Sequence, residues 1–329
     1  MVMPPIDTLE RLGDAFALTA PTERKRMLVI VNPYATTVSD RLRNLVVSAL
    51  QGRYEVEAID TAAKGHATLL AREAAAEDFD VIVAFGGDGT VNEAANGLAG
   101  SRVPLTTLPG GSANVFCRML GIPSDIVDAT EHLLRVADRF APRRVDVAEV
   151  NGRAFTFSAG MGLDAAVVER VDAHPRRKAR WGAGYFTAAA VSTFARRYVV
   201  AAPRMAVEVD GAPLAEGVSV FVQNGDPYTY FRDTPIHIAE HSDLESGHLA
   251  GAVLRRARMT DMPSIAYRAF APRGRVVAAR AALGFHDVDE VVARALDGSR
   301  IPLQVDGDHV GDVEEARFRV IPGGLTVVS

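Results

Sequence analysis

The chain has 329 residues, 48% of them apolar and 23% charged, which is ample for two globular domains with ordinary cores. A net charge of −5 argues against nucleic-acid binding driven by global charge, so nucleic acid is not expected as a partner. The single cysteine, Cys117, excludes a disulfide framework, zinc fingers and iron–sulfur sites, and fits a reducing cytoplasm.

No apolar run reaches the ~18 residues of a membrane-spanning helix. Residues 1–26 lack the basic-then-apolar order of a signal peptide and read as a loosely ordered leader. Next comes "MLVIVNP", an apolar, β-branched run stopped by Asn-Pro, the pattern of a buried parallel strand. A helical segment over about Ser39–Gln51, the strand "YEVEAIDT" and the helix "GHATLLAREAAAEDF" follow. "DVIVAF" is a further buried strand, "VNEAANGLAG" opens a helix, "VPLTTLPGG" is a strand and loop, and "SANVFCRMLGIP" starts another helix. This alternation predicts a doubly wound α/β domain over residues 27–142.

From Arg143 the texture becomes β-rich. "RVDVAEVNGRAFTFSAGMG" reads as two strands joined at Asn151-Gly152, and "RMAVEVDGAPLAEGVSVFVQN" repeats the scheme around Asp210-Gly211, both type I′ hairpin signals. "LAGAVLRR", "RIPLQVDGDHVG" and "ARFRVIP" supply more strands, and one helical insertion falls over about Gly182–Tyr198. Residues 143–329 therefore form a separate, mainly antiparallel domain whose last strand can return to the first.

In "VIVAFGGDGTVNE" a glycine turn sits at the carboxyl end of a parallel strand, the edge where open α/β sheets bind ligands. Gly86, Gly87 and Gly89 let backbone approach a phosphate and accept positive φ, while Thr90 and Asn92 enter a helix N-terminus that attracts anions. The competing account is a tight strand-to-helix turn using glycine for geometry alone. The loop is neither a Walker loop nor a dinucleotide fingerprint. Asp88 would repel phosphate unless a divalent cation stands between them, which points to a Mg²⁺-nucleotide; helix capping is its alternative role. "LPGGSANVF" repeats the design with Ser112 and Asn114, and "NPYATT" adds Asn32, Thr36 and Thr37 at the same sheet edge. Three such strand ends make one polyanion cradle.

These motifs in this order resemble the lipid kinases with a diacylglycerol kinase catalytic domain, which include sphingosine and ceramide kinases. The resemblance runs from Leu28 on and rests on "VNPYATT", Thr61 before "KGHA", "GGDGTVNEAANGL", "LPGGSANVFCRMLGIP", "RRVDVAEVNGRAFTFSAGMGLDA" and "LQVDGD". It implies a nucleotide-binding α/β domain and a β-sandwich-like lipid-substrate domain, with ATP and Mg²⁺ in the cleft between them. Nucleotide contacts would fall on Asn32, Pro33, Tyr34, Ala35, Thr36, Thr61, Gly86, Gly87, Asp88, Gly89, Thr90, Val91, Asn92 and Ser112. The proton acceptor would be Asp308, one methylene shorter than the glutamate of many relatives, with Asp306 beside it helping to hold Mg²⁺ and Asp146 as a third carboxylate of that network. The plain alternative for "VDGD" is a β-turn. Many bacterial relatives have an Asp-Asp-Gly run, which in some holds a structural Mg²⁺, where this chain reads Glu245-Ser246-Gly247, so that metal site is not expected and Asp243 and Glu245 should form a solvated turn.

A lipid kinase meets its substrate at a bilayer, which implies a cytoplasmic protein associated peripherally with membranes. "HPRRKARWGAGYF" combines basic and interfacial aromatic residues suited to an anionic surface, or is a solvated charge run before a packed helix. "NGDPYTYF" would line an acyl-chain pocket or belong to the core. Two rival functions stand beside the lipid kinase: a kinase of a soluble substrate such as NAD, and a catalytically weak nucleotide or lipid sensor. Oligomeric state is left open, a homodimer included.

Overall fold

The computed structural model describes residues 24–174, 189–190, 192–198, 202–240, 242–271 and 274–329. The chain forms two compact units, one taking it up to Val145 together with Gly324–Ser329, the other comprising Asp146–Gly323. Among the described residues, no helix is long and apolar enough to cross a membrane.

The first unit is built on parallel strands β1 (Arg26–Val31), β2 (Glu55–Asp60), β3 (Val81–Gly86) and β4 (Leu105–Pro109) in the order β2-β1-β3-β4. β1, β3 and β4 are buried almost throughout, which is why they read as unbroken apolar runs. The chain end closes this sheet, with Val327 pairing in parallel with Leu105. Between the strands lie helices Asp40–Leu50, His66–Ala76, Asp88–Leu98, Val115–Met119 and Ile126–Val136. The first of these packs on the last, and His66–Ala76 packs on Asp88–Leu98. The chain runs from β1 out to β2 and returns to β3 on β1's other side. The carboxyl ends of β1 and β3 are therefore the topological switch point, where doubly wound sheets open a ligand crevice.

The second unit is antiparallel and two-layered. Its strands are β5 (Arg143–Val150), β6 (Arg153–Phe155), β7 (Ser158–Met161), β8 (Met205–Val209), β9 (Ala212–Gly217), β10 (Ser219–Gln223), β11 (Thr229–Phe231), β12 (Thr234–Ile236), β13 (Leu249–Leu254), β14 (Ala282–Val288), β15 (Glu290–Ala295), β16 (Ile301–Val305), β17 (Asp308–Val313) and the first part of β18 (Glu315–Val327). One sheet runs β14-β13-β10-β7-β16-β17, and the other joins β9-β8-β15-β18 with β5 and β6. A single core takes Val150 and Phe155 from the second sheet and Met161, Val222 and Leu303 from the first, the signature of a sandwich. Asn151-Gly152 and Asp210-Gly211 turn their hairpins with φ of 50°, 81° and 47°, 77°, the double left-handed geometry of type I′. Two helices, Leu163–Asp172 and Met262–Phe270, accompany the sheets. The basic-aromatic stretch from Pro175 to Phe186 lies outside the described residues.

Candidate active site

In the first unit, three loops meet at the switch point and are locked to one another. The amide of Asn32 donates to the carbonyl of Phe85, and its side-chain Nδ2 donates to Thr90 Oγ1 at 3.1 Å. Gly110 N donates to Gly86 O at 2.8 Å and Thr37 N to Gly110 O at 3.1 Å, so each loop holds the next. Asn114, at φ 48°, staples the "LPGGSAN" loop by accepting from Gly111 N and donating to Gly111 O. The sequence places these three strand ends at one edge, and the structure joins them.

The glycines serve this contact rather than unusual dihedrals. Gly86, Gly87 and Gly89 do not have positive φ, contrary to expectation; Gly87 sits at φ −88°. Their small size is what matters. A Cβ on Gly86 would stand 2.5 Å from Thr90 Oγ1, and one on Gly111 2.7 Å from the Cα of Gly87. At Gly86 and Gly111 the loops leave no room for a side chain.

Asp88 is the first residue of the helix Asp88–Leu98, whose cap is Gly87. It does not cap its own helix. Its Oδ1 accepts from Phe116 N at 3.4 Å, in the first turn of the neighbouring helix, where amides lack partners. Thr90, Val91 and Asn92 are nearly buried at 6%, 3% and 2% exposure, so their side chains offer little surface. Thr61 is likewise buried, with its amide on Val31 O. Tyr34, Thr36 and Ser112 are exposed, Pro33 and Ala35 half so. Glu93 has a role that its motif alone does not reveal. Its carboxylate accepts from Gly65 N and Ala67 N and so caps the helix His66–Ala76, a helix whose own cap residue is a glycine.

In the second unit, Asp306 and Gly307 turn β16 into β17 with φ 48° and 80°, and Asp308 opens β17 opposite Val305. The Asp306 carboxylate is buried and accepts four hydrogen bonds, from Thr156 N, Thr156 Oγ1, Phe157 N and Ser158 N, at 2.7 to 3.1 Å. Burial raises its carboxyl above the usual range, and the four donors oppose that rise. With two donors on each oxygen, Asp306 is an anchor for residues 156–158 and is saturated as a ligand. Asp146 is engaged once on each oxygen, accepting from Gly323 N at 2.7 Å and Gly247 N at 2.6 Å. Both carboxylates expected at Mg²⁺ thus already hold backbone amides; Asp308 is half-buried at the head of its strand. Asp243 and Glu245 form an exposed turn in which Asp243 Oδ1 accepts from Glu245 N.

Behind the turn lies a polar cluster without a signal in residue spacing. Asp164 Oδ2 accepts from Tyr228 Oη at 2.6 Å and Gln304 Nε2 at 3.1 Å, and Gln304 Oε1 accepts from Gly307 N at 2.9 Å. Burial pushes the Asp164 carboxyl up and the Tyr228 hydroxyl well above its ordinary value. A methyl group at Gly160 would overlap the Asp164 carboxylate, which accounts for one glycine of "SAGMGLDA". Tyr228 itself packs with Ile236, Ile238, Ala252 and Val276, so this part of "NGDPYTYF" is core. Among the described residues, no group of three or more His, Cys, Asp or Glu side chains is arranged to hold a metal.

Comparison with known proteins agrees with the fold. Residues 26–150 match the family model of the diacylglycerol kinase catalytic domain. A diacylglycerol kinase of Bacillus subtilis (strain 168) is 39% identical over 145 residues, covering 42% of this chain and 46% of the relative. One from Staphylococcus aureus (strain MRSA252) is 37% identical over 145 residues, covering 42% and 44%. The match thus spans less than half the length of these curated relatives. Over nearly the whole chain, the crystal structure of a diacylglycerol kinase from Bacillus anthracis str. Sterne superposes with TM-score 0.70 at 24% identity, covering 94% of this chain and 98% of that one. A second structure from that organism gives 0.72 at 25% identity with the same coverage. Residues 26–150 are thus similar to a diacylglycerol kinase catalytic domain, and the chain as a whole shares the fold of these structures.

Proposed function

We propose that this protein is an ATP-dependent lipid kinase that transfers the γ-phosphoryl group of ATP to the hydroxyl of a diacylglycerol-like lipid. The observation that carries the reading is the switch-point cradle. Three loops are locked by Asn32–Thr90 and Gly86–Gly110 bonds, and a Cβ on Gly86, Gly110 or Gly111 would come within 3.0 Å of a neighbouring loop or side chain. The start of the helix Asp88–Leu98, the positive end of its dipole, suits a polyphosphate.

The residues present fit a magnesium ion that arrives with its nucleotide. Such an ion is held largely by substrate phosphates and waters, with one or two carboxylates, and needs no protein cage. Asp88 is the carboxylate proposed for it. When bound, magnesium neutralises charge on the phosphates. Asp308 is the proposed base, taking the proton of the lipid hydroxyl as the oxygen attacks phosphorus. The Asp164–Tyr228–Gln304 cluster holds Gly307 N, and so fixes the turn on which Asp308 stands.

The test offers γ-labelled ATP and Mg²⁺ with diacylglycerol, phosphatidylglycerol, sphingoid bases and polyprenols in mixed micelles, beside NAD as a soluble acceptor. Label should enter lipid, and Asp88→Asn should abolish transfer at native stability, because asparagine keeps an oxygen for Phe116 N. Label in NAD alone, or full turnover by Asp88→Asn, would refute the assignment.

A further inference from the structure

The helix Met262–Phe270 has two apolar faces. Met262, Ile265 and Ala269 face inward, onto clusters that include Tyr198, Leu254, Tyr228 and Ile238. The other face, Pro263, Ala266, Tyr267 and Phe270, is exposed and recurs at helical spacing. Tyr267 is 74% and Phe270 48% exposed, and Met259 just before the helix is 61% exposed. Of the six large apolar residues exposed among the described residues, half therefore lie in this one segment, as a patch and not as scattered singles.

The patch is rimmed by positive charge in a chain whose net charge is −5. Arg255, Arg256 and Arg258 are exposed ahead of the helix and Arg268 is half-buried within it, against one acid, Asp261, that pairs with Arg256 at 3.0 Å. Phe231 packs edge-on against Phe270 at 5.4 Å, which brings the β11–β12 hairpin, with Arg232 and Asp233 at its tip, to the helix's carboxyl end.

We infer that this helix and the arginine segment before it form a docking surface for an anionic lipid bilayer. Aromatic side chains on one exposed helix face, with an exposed thioether just before it and arginines beside it, are the composition that enters the headgroup boundary while guanidinium groups meet lipid phosphates. A second copy of the chain is the weaker occupant, because a self-complementary contact would bring the arginines against their own counterparts. The biological sense of the surface rests on the lipid-kinase reading, but its measurement does not.

The test is co-sedimentation of the full chain with phosphatidylcholine vesicles, with and without phosphatidylglycerol, at low and high salt. Native protein should bind the anionic vesicles at low salt and be released by high salt. Arg255→Glu/Arg258→Glu should lower the partition coefficient by at least about 25-fold, from roughly fivefold per arginine near such a surface. Tyr267→Ser should weaken binding several-fold with an unchanged melting curve, since that side chain has little native packing to lose. Transfer to a short-chain, water-soluble diacylglycerol should stay at the native rate in both variants. Loss of that transfer in the native protein would sink the kinase reading and leave the docking surface standing. The inference is overturned if the native protein ignores anionic vesicles, if the variants bind as the native does, or if only Arg176, Arg177, Lys178 and Arg180→Ser abolishes binding. A concentration-dependent dimer removed by Tyr267→Ser would overturn it too, and assign the face to a second copy.

Discussion

Gly87 and Gly111 face each other across one backbone contact, so alanine at each probes the same gap from opposite sides. A Cβ on Gly111 would lie 2.7 Å from the Cα of Gly87, about 1 Å inside the ~3.5–4.0 Å of a relaxed carbon contact. It would also press on Asn114 Oδ1 at 3.1 Å, the staple of its own loop. Both obstacles are held in place, one being backbone. Overpacking of this kind costs ~1–3 kcal/mol, a melting point lower by roughly 3–10 °C for a unit of this size. A Cβ on Gly87 meets Gly111 Cα at 3.3 Å, short by only a few tenths of an ångström. Its φ of −88° suits alanine, so reduced freedom of the unfolded chain, worth ~0.4–1 kcal/mol, offsets most of that. Thermal melts and ATP titrations of both variants decide the matter. Gly111→Ala should be less stable and bind ATP more weakly, because the loops part by ~1 Å; Gly87→Ala should melt like the native protein. If Gly111→Ala melts and binds as the native does, the loops are not packed as described. If Gly87→Ala loses ATP binding at native stability, that glycine exists to admit phosphate rather than its neighbour loop.

Glu93→Gln keeps one acceptor for Gly65 N and Ala67 N but sets an amide against the other, so chemical denaturation should show a loss of ~1–2 kcal/mol; no loss would remove its capping role. Asp164 carries a carboxyl raised by burial, so the folded state holds its proton where the unfolded chain has released it. Its contribution is complete below ~4 and is lost as pH rises through the raised value. The stability difference between native and Asp164→Asn protein should therefore shrink with rising pH over that window, and a flat difference would mean an unshifted carboxyl.

Much of this was legible because local chemistry and tertiary structure agree. "MLVIVNP" and "DVIVAF" became β1 and β3 since strands buried on both faces need unbroken apolar runs. Asn151-Gly152 and Asp210-Gly211 turn as those pairs prefer. The helix Met262–Phe270 escaped, because nine residues repeat the helical period only about two and a half times and the proline at its start reads as a breaker. The buried carboxylates escaped for another reason. Asp306 takes its donors from residues 156–158, Asp146 from Gly247 and Gly323, and Glu93 from Gly65 and Ala67. Partners so far away in sequence leave no local pattern. "VDGD" shows two aspartates around a glycine and nothing of which one is buried. An acid at a turn reads as chemistry until its donors are known.

Asp306 and Asp308 therefore divide the roles that the sequence leaves joined, and their asparagine variants should fail differently. In Asp306→Asn, one oxygen becomes an NH₂ group facing donors, either Thr156 N and Oγ1 or Phe157 N and Ser158 N. Two buried donors lose their acceptor at ~1–3 kcal/mol each, so denaturant unfolding should show a loss of about 2–5 kcal/mol. Activity should fall only as far as the folded fraction does. Asp308 is half-buried at the head of β17, and Asp308→Asn should leave stability within ~1 kcal/mol. Turnover on lipid should instead fall by ~10²–10⁴-fold, with ATP affinity near native, since a base acts on the acceptor hydroxyl. Asp308→Glu separates position from chemistry: if the turn has adjusted to the shorter acid, the longer one misplaces the carboxylate by more than ~1 Å and turnover drops by ~10²-fold. A glutamate variant faster than native would mean that no such adjustment exists. Native turnover in Asp308→Asn, or a folded Asp306→Asn that has lost turnover alone, would reverse the assignment.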